Sequence, residues 1–303
     1  MRVAYSDGFF ADIGEHVFPL EKYRLVKERL VAEGVLSGAD LVEPEPVTEA
    51  DMLLVHEPGY VRKLKHNLLT PTEILVLEIP FSPAIFRAFA LMAGGTMTAS
   101  RIALEDGVGV SIGGGFHHAF PDHGEGFCIL NDVAIAIERL MAGRRVARAL
   151  VVDCDLHQGN GTAAIFSGRK DVFTFSIHQE NNYPFIKQES TLDIGLRDGA
   201  DGNEYNAYLL KTLPPIFETF KPEFVVYLAG ADPYEHDQLG ALKLTKGDLR
   251  ERDRIVIALA RSLDVPVCVL LAGGYAGDTA DTVDIHCNTI VTAKELAGDW
   301  KHK

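Results

Sequence analysis

Five stretches of the chain are nearly continuous runs of apolar residues, at 108–112, 149–154, 172–177, 224–229 and 265–271. Four of them are rich in Val and Ile, the composition of parallel strands buried on both faces. Helical patterns lie between the runs. Ser82 followed by Pro83 reads as an N-cap with proline at the first helical position, opening a helix toward Leu104. Residues 131–141 are amphipathic, and Thr245 with Asp248 forms a capping-box pattern ahead of a helix over 249–263. The opening MRVAYSDGFF alternates like a strand, and Pro44 and Pro46 mark an exposed loop at 42–47. There is no internal repeat or linker. Strand–helix alternation of this kind predicts an α/β fold: one domain over 1–303, a doubly wound parallel sheet with helices on both faces.

Composition narrows the function. Of 303 residues, 29 are basic and 43 acidic, a net charge of -14. A nucleic-acid binder needs a basic face, so that class is disfavoured, whereas cationic peptides or polyamines suit an acidic field. No apolar run approaches a membrane span, and the first residues lack a signal peptide's apolar core. The four cysteines, Cys128, Cys154, Cys268 and Cys287, include no CxxC pair. They read as reduced, mostly buried thiols of a cytoplasmic protein.

Each apolar run ends in polar or glycine-rich sequence: GGGFHHAF, DCDLHQGNG, SIHQENNYP, AGADPYEHD and AGGYAGD. In a parallel sheet these ends share the carboxyl edge, where open α/β sheets place their sites. Residues two apart on an extended strand face the same side, so Asp155 and His157 can reach one ion together. Asp232, at the end of another run, is the natural third ligand, and three protein ligands with one open position suit catalytic zinc. Helix capping is the alternative use of this Asp and His. The adjacent His117 and His118 can act on a bound water and a leaving amine, with Asp153 and Asn160 placed to orient them. Two loop histidines without a role is the alternative. Tyr275 follows Gly273–Gly274 and either donates to a developing oxyanion or packs beside a turn.

Together these stretches, with HVFPLEKYR, VHEPGYVRKL and GEGFCILND, resemble the arginase/deacetylase superfamily, specifically zinc-dependent histone deacetylases and their bacterial relatives. HQGNG looks like the class IV branch. The resemblance implies a metal held by Asp155, His157 and Asp232: Zn(2+), with Fe(2+) as an alternative. It implies His118 as general base and acid paired with Asn160, His117 paired with Asp153, and Tyr275 polarising the scissile carbonyl. It implies a channel lined by Gly126, Phe127, Tyr183 and Leu239. It also implies a structural K(+) on Asp153, the main-chain carbonyls of Asp155 and His157, Ser176 and the carbonyl of Ile177. The implied substrates are acyl-lysine peptides or proteins, with acylated polyamines as the small-molecule alternative. A metal-holding interaction protein is the reading outside enzymes. Two departures stand out. Class I members carry an acid where Asn160 stands. The segment before Ser82 is short, and of its acids Glu73 and Glu78 look like poor counterparts of the family's substrate-clamping aspartate.

Overall fold

The computed structural model describes residues 1–298 and Trp300. Its strands are β1 (Val3–Ala4), β2 (Leu41–Val42), β3 (Val108–Ser111), β4 (Ala149–Asp153), β5 (Val172–Gln179), β6 (Leu192–Leu196), β7 (Phe224–Leu228) and β8 (Val267–Leu270). Its helices are α1 (Lys22–Ala32), α2 (Glu49–Met52), α3 (Pro58–His66), α4 (Pro71–Leu77), α5 (Pro83–Asp106), α6 (Asp132–Ala142), α7 (Asn160–Ile165), α8 (Gly202–Phe220), α9 (Lys246–Ser262) and α10 (Thr279–Ala297).

The strands form one sheet in the order β2-β1-β3-β8-β7-β4-β5-β6, and every neighbouring pair is parallel. The five apolar runs are the five consecutive strands β3, β8, β7, β4 and β5. Their alternation divides the core into two layers. Leu150, Val152, Val225, Tyr227, Val267 and Val269 face a cluster with Leu209 of α8, Val256 of α9 and Ile290 of α10. Ala149, Val151, Val226, Leu228, Cys268 and Leu270 face a second cluster with Ala99 and Ala103 of α5 and Val133 and Ile137 of α6. Both faces of the sheet are therefore covered, as a near-continuous apolar strand requires.

The expected helix starts are present. The Ser82 side chain accepts from Ile85 N at 3.3 Å with Pro83 at the first position. Asn131 caps α6 through Ala134 N at 2.9 Å, and Thr245 and Asp248 cap α9 reciprocally. Helix α5 runs to Asp106 and stops at Gly107, whose φ of 83° suits a residue without a side chain.

Candidate active site at the carboxyl edge of the sheet

After β3 the chain makes a turn of three glycines, Gly113, Gly114 and Gly115, with φ of 157°, 80° and 88°. A Cβ on Gly114 would lie 2.4 Å from Thr96 Oγ1 and 2.5 Å from Asp132 Oδ2. The buried Asp132 carboxylate holds the turn, accepting from Gly115 N at 2.9 Å, Phe116 N at 2.7 Å and the Thr96 hydroxyl. This turn delivers His117 and His118, both buried, to the edge. His117 Nδ1 is 2.7 Å from Asp153 Oδ2, at the end of β4. His118 Nδ1 is 2.7 Å from Asn160 Oδ1, and the two Nε2 atoms face each other at 3.1 Å. Asn160 is the first residue of the short helix α7 rather than a loop residue.

Asp155 and His157, just past β4, meet Asp232, just past the neighbouring β7. One ligand atom from each lies within 4.8 Å of the others. His157 Nδ1 is 3.1 Å from Asp155 Oδ1 and 3.3 Å from Asp232 Oδ2. Ligands at about 2.0–2.1 Å from a tetrahedral ion sit about 3.3 Å apart, so this spacing fits zinc. The other carboxylate oxygens are tied to the main chain, Asp155 Oδ2 by Gly273 N at 2.9 Å and Asp232 Oδ1 by Leu156 N at 3.0 Å. Asp232 Oδ2 is buried and makes no hydrogen bond to a described residue, its contact with His157 being an ion pair. An orphaned buried carboxylate oxygen aimed at a neighbouring carboxylate and imidazole is the mark of a cation site. Glycines let the main chain come this close: a Cβ on Gly273 would lie 2.1 Å from Asp232 Oδ2.

The electrostatics agree. Burial opposes charge on His157, but Asp155 and Asp232 outweigh it and push the imidazole up to about 10. Burial raises the Asp232 carboxyl to about 6, with Asp155 adding to the effect. Burial also opposes charge on His117, yet Asp153 and Asp155 raise it to about 9. His118 goes the other way: burial, then His117 and His157, hold it well below 6.5. The two adjacent histidines are thus pushed in opposite directions, as an acid–base site requires.

Tyr275 follows β8 and Gly274, and its main-chain N–H donates to Asp237 at 2.7 Å. Its ring meets Phe18, Phe127 and His157 edge-on, with centroids at 6.0, 5.8 and 6.4 Å. The fully buried Lys22 ammonium lies 5.5 Å from the Tyr275 ring and donates to the Ala272 carbonyl at 2.9 Å. Burial lowers Lys22 to about 8 against the pull of Asp232, Asp155 and Asp237.

A cavity of about 160 Å³ leads to these groups, lined by Glu78, His118, Gly126, Phe127, His157, Asn182, Tyr183, Leu239 and Tyr275. Any side chain on Gly126 would intrude, its Cβ 2.8 Å from His118 and 2.9 Å from Tyr183. A larger depression of about 790 Å³, between α5 and α6, contains none of these groups.

A histone deacetylase domain model matches residues 16–290. The chain belongs to the histone deacetylase family. An uncharacterized protein of Picosynechococcus is 40% identical over 94% of this chain and 95% of its own length. Histone deacetylase 2 of Arabidopsis thaliana is 31% identical over 92% of this chain and 75% of its own. The acetoin utilization protein AcuC of Staphylococcus aureus is 28% identical, over 86% and 72%. Among solved structures, the HDA15 HD domain superposes with a TM-score of 0.80 over 99% of this chain and 91% of that one, at 23% identity, a likeness of fold.

Asp155, His157 and Asp232, with His117, His118, Asp153, Asn160 and Tyr275, come together at the carboxyl edge of the sheet, and Gly126, Phe127, Tyr183 and Leu239 line the cavity that opens on them. Asp132, Lys22, Asp237, Asn182 and Glu125 also stand in or against the site, and no pattern in the sequence marks them. Glu125 accepts from Asn160 Nδ2 at 2.6 Å and from the Tyr183 hydroxyl at 3.0 Å. Of the two acids before Ser82, Glu78 lines the cavity, whereas Glu73 caps α4 and pairs with Lys63 at 2.6 Å. Glu78 follows α4 in a left-handed conformation, φ 61°, which turns the chain toward the cavity. Only the folded turn reveals that difference between the two acids.

Proposed function

We propose that this deacetylase is a zinc enzyme that hydrolyses the Nε-amide of acyl-lysine, working as one catalytic domain over 1–303. The observation that carries the reading is the convergence of Asp155, His157 and Asp232 on one point, with His157, His118 and the hydroxyl-bearing Tyr275 lining the narrow cavity that reaches it. Zinc supplies Lewis-acid polarisation of the amide carbonyl and lowers the pKa of the attacking water. His118 Nε2 takes the water's proton and later delivers it to the leaving amine. His117, oriented by Asp153, gives electrostatic support beside the base, and the Tyr275 hydroxyl donates to the carbonyl oxygen as negative charge appears there. Gly126, Phe127, Tyr183 and Leu239 confine the alkyl stem of the lysine and exclude water from it.

Ferrous iron suits the same ligands and is the alternative metal. A structural potassium is assigned to Asp153, Ser176 and the carbonyls of Asp155, His157 and Ile177. Its support is that the carbonyls of Asp155 and His157 receive no hydrogen bond from a described residue. The four buried free cysteines support a reducing, cytoplasmic setting. No helix among the described residues is long and apolar enough to cross a membrane.

Glu78 favours a second reading. Its carboxylate stands in the cavity lining without a hydrogen bond or ion pair to a described residue, and would attract the second cationic centre of an acylpolyamine. The deciding experiment is a rate panel of acyl-lysine peptides, free acetyl-lysine and acetylated polyamines, with metal content measured on the same preparation. Polyamine turnover far above that of every lysine amide would replace the first reading with the second. No turnover on any amide would leave a metal-holding protein.

A further inference from the structure

The geometry points to Glu125 as a positioning residue: its carboxylate fixes the direction of the Asn160 amide, and through it the ring nitrogen of His118 that carries the proton. This rests on the proposed role of His118 as the base. An asparagine amide has two ends of nearly the same shape. Beside His118 Nδ1 alone, either end forms one hydrogen bond. The carbonyl end accepts from a protonated Nδ1 and leaves Nε2 with its lone pair. The amino end donates to a bare Nδ1 and forces the proton onto Nε2, where it blocks the base. Nothing in the His118–Asn160 pair chooses between them.

Glu125 chooses. Its Oε1 lies 2.6 Å from Asn160 Nδ2, and an ionised carboxylate can only accept. The amino end must therefore face Glu125, the carbonyl end His118 at 2.7 Å, and the His118 proton must sit on Nδ1. Flipping the amide would set two oxygens in contact and forfeit a charge-assisted hydrogen bond. Asn160 is buried, so water cannot replace the lost partner. Three donors keep the carboxylate ionised: burial opposes charge on Glu125, but His123, Asn160 and Tyr183 outweigh it. The Tyr183 hydroxyl donates to the same Oε1 at 3.0 Å, and the Tyr183 ring meets His118 edge-on at 5.0 Å. One carboxylate thus holds both the base and the cavity wall beside it. The arrangement also explains the amide at 160. An aspartate there would put two carboxylates at hydrogen-bond distance.

The test is a variant series on zinc-loaded protein with a minimal acyl-lysine amide, read by kcat, KM and metal content. A general base contributes about a hundredfold or more, so E125A, which loses the acceptor, should lower kcat by about tenfold or more at unchanged metal content. E125Q keeps an acceptor oxygen and should recover most of that loss. Y183F, which removes only the tyrosine's bond to Glu125, should act mainly on KM. N160D should be impaired, and adding E125Q to it should restore turnover by relieving the paired carboxylates. The tautomer is read independently of turnover by two-bond proton–nitrogen correlation on ¹⁵N-histidine protein, with His118 assigned through H118N. The expected spectrum has a protonated Nδ1 in the native protein and E125Q, and a mixed or reversed state in E125A. An E125A protein that keeps both the native tautomer and native kcat overturns the inference. Native protein without turnover defeats the deacylase reading alone, and the spectra still decide the role of Glu125.

Discussion

Replacing Tyr275 by Phe isolates one hydroxyl from everything around it. The ring's contacts with Phe18, Phe127, His157 and the Lys22 ammonium all belong to atoms that phenylalanine retains. The main-chain bond to Asp237 is untouched. The hydroxyl makes no hydrogen bond to a described residue, so its removal leaves no buried partner unsatisfied. Stability should therefore change by less than about 0.5 kcal/mol, a shift in Tm of no more than about 2 °C. Catalysis should not be spared. A donor that acts on charge present only in the transition state is worth about 2.7–4 kcal/mol, a hundredfold to a thousandfold in kcat. The assay is steady-state hydrolysis of an acyl-lysine amide alongside thermal unfolding and metal analysis. The expected result is a kcat reduced by about a hundredfold or more, with KM, Tm and metal content nearly unchanged. A variant with near-native kcat would reduce Tyr275 to a packing residue. A variant that also loses stability would mean the hydroxyl is engaged in the resting fold.

Asp232→Ala should abolish tight metal binding and activity together, and full metal occupancy in that variant would remove Asp232 from the ligand set. Glu78→Gln should lower kcat/KM for cationic substrates severalfold at low ionic strength and much less at high salt, where exposed charges are screened; equal effects on neutral substrates would contradict it. His56, between Phe120 O at 2.9 Å and Asn131 N at 3.1 Å, is neutral in the fold, burial pushing it down to about 4. Its folded value lies below the unfolded 6.5, so its contribution is complete above that pH and is lost as pH falls toward 4, about 2 kcal/mol between pH 7.5 and 5. Urea unfolding of His56→Gln should show a correspondingly weaker loss across that interval than the native protein, and parallel losses would show that other groups govern it.

The central strands were legible because burial on both faces leaves little room for anything but apolar residues. The strands missed or half-seen are the two-residue β1 and β2 and the partly exposed β6, whose Leu192–Leu196 segment includes an exposed glycine. Such short or outer strands take their identity from their neighbours, not from their own pattern. The site divides the same way. Asp155 and His157 are legible because a two-residue spacing on an extended segment puts both on one side. Lys22 begins an ordinary-looking charged helix, and only packing shows its ammonium enclosed beneath Tyr275. Glu125 carries no local mark, since its partners Asn160 and Tyr183 come from after β4 and β5. GEGFC offers only a hint, an acid between two glycines followed by a phenylalanine and a cysteine.

The pairing of β4 with β7 gives the metal trio a thermodynamic meaning apart from chemistry. Asp155 and His157 hang from one strand and Asp232 from its neighbour, so all three can grip an ion only once those strands lie side by side. The unfolded chain offers no such grip, and an ion bound there adds its binding free energy to the fold, about 2.7 kcal/mol when free metal is a hundred times its dissociation constant. On the proposed metal reading, metal supply would set how much of this protein stays folded as well as how fast the folded fraction works, and removing the ion should lower the midpoint of unfolding.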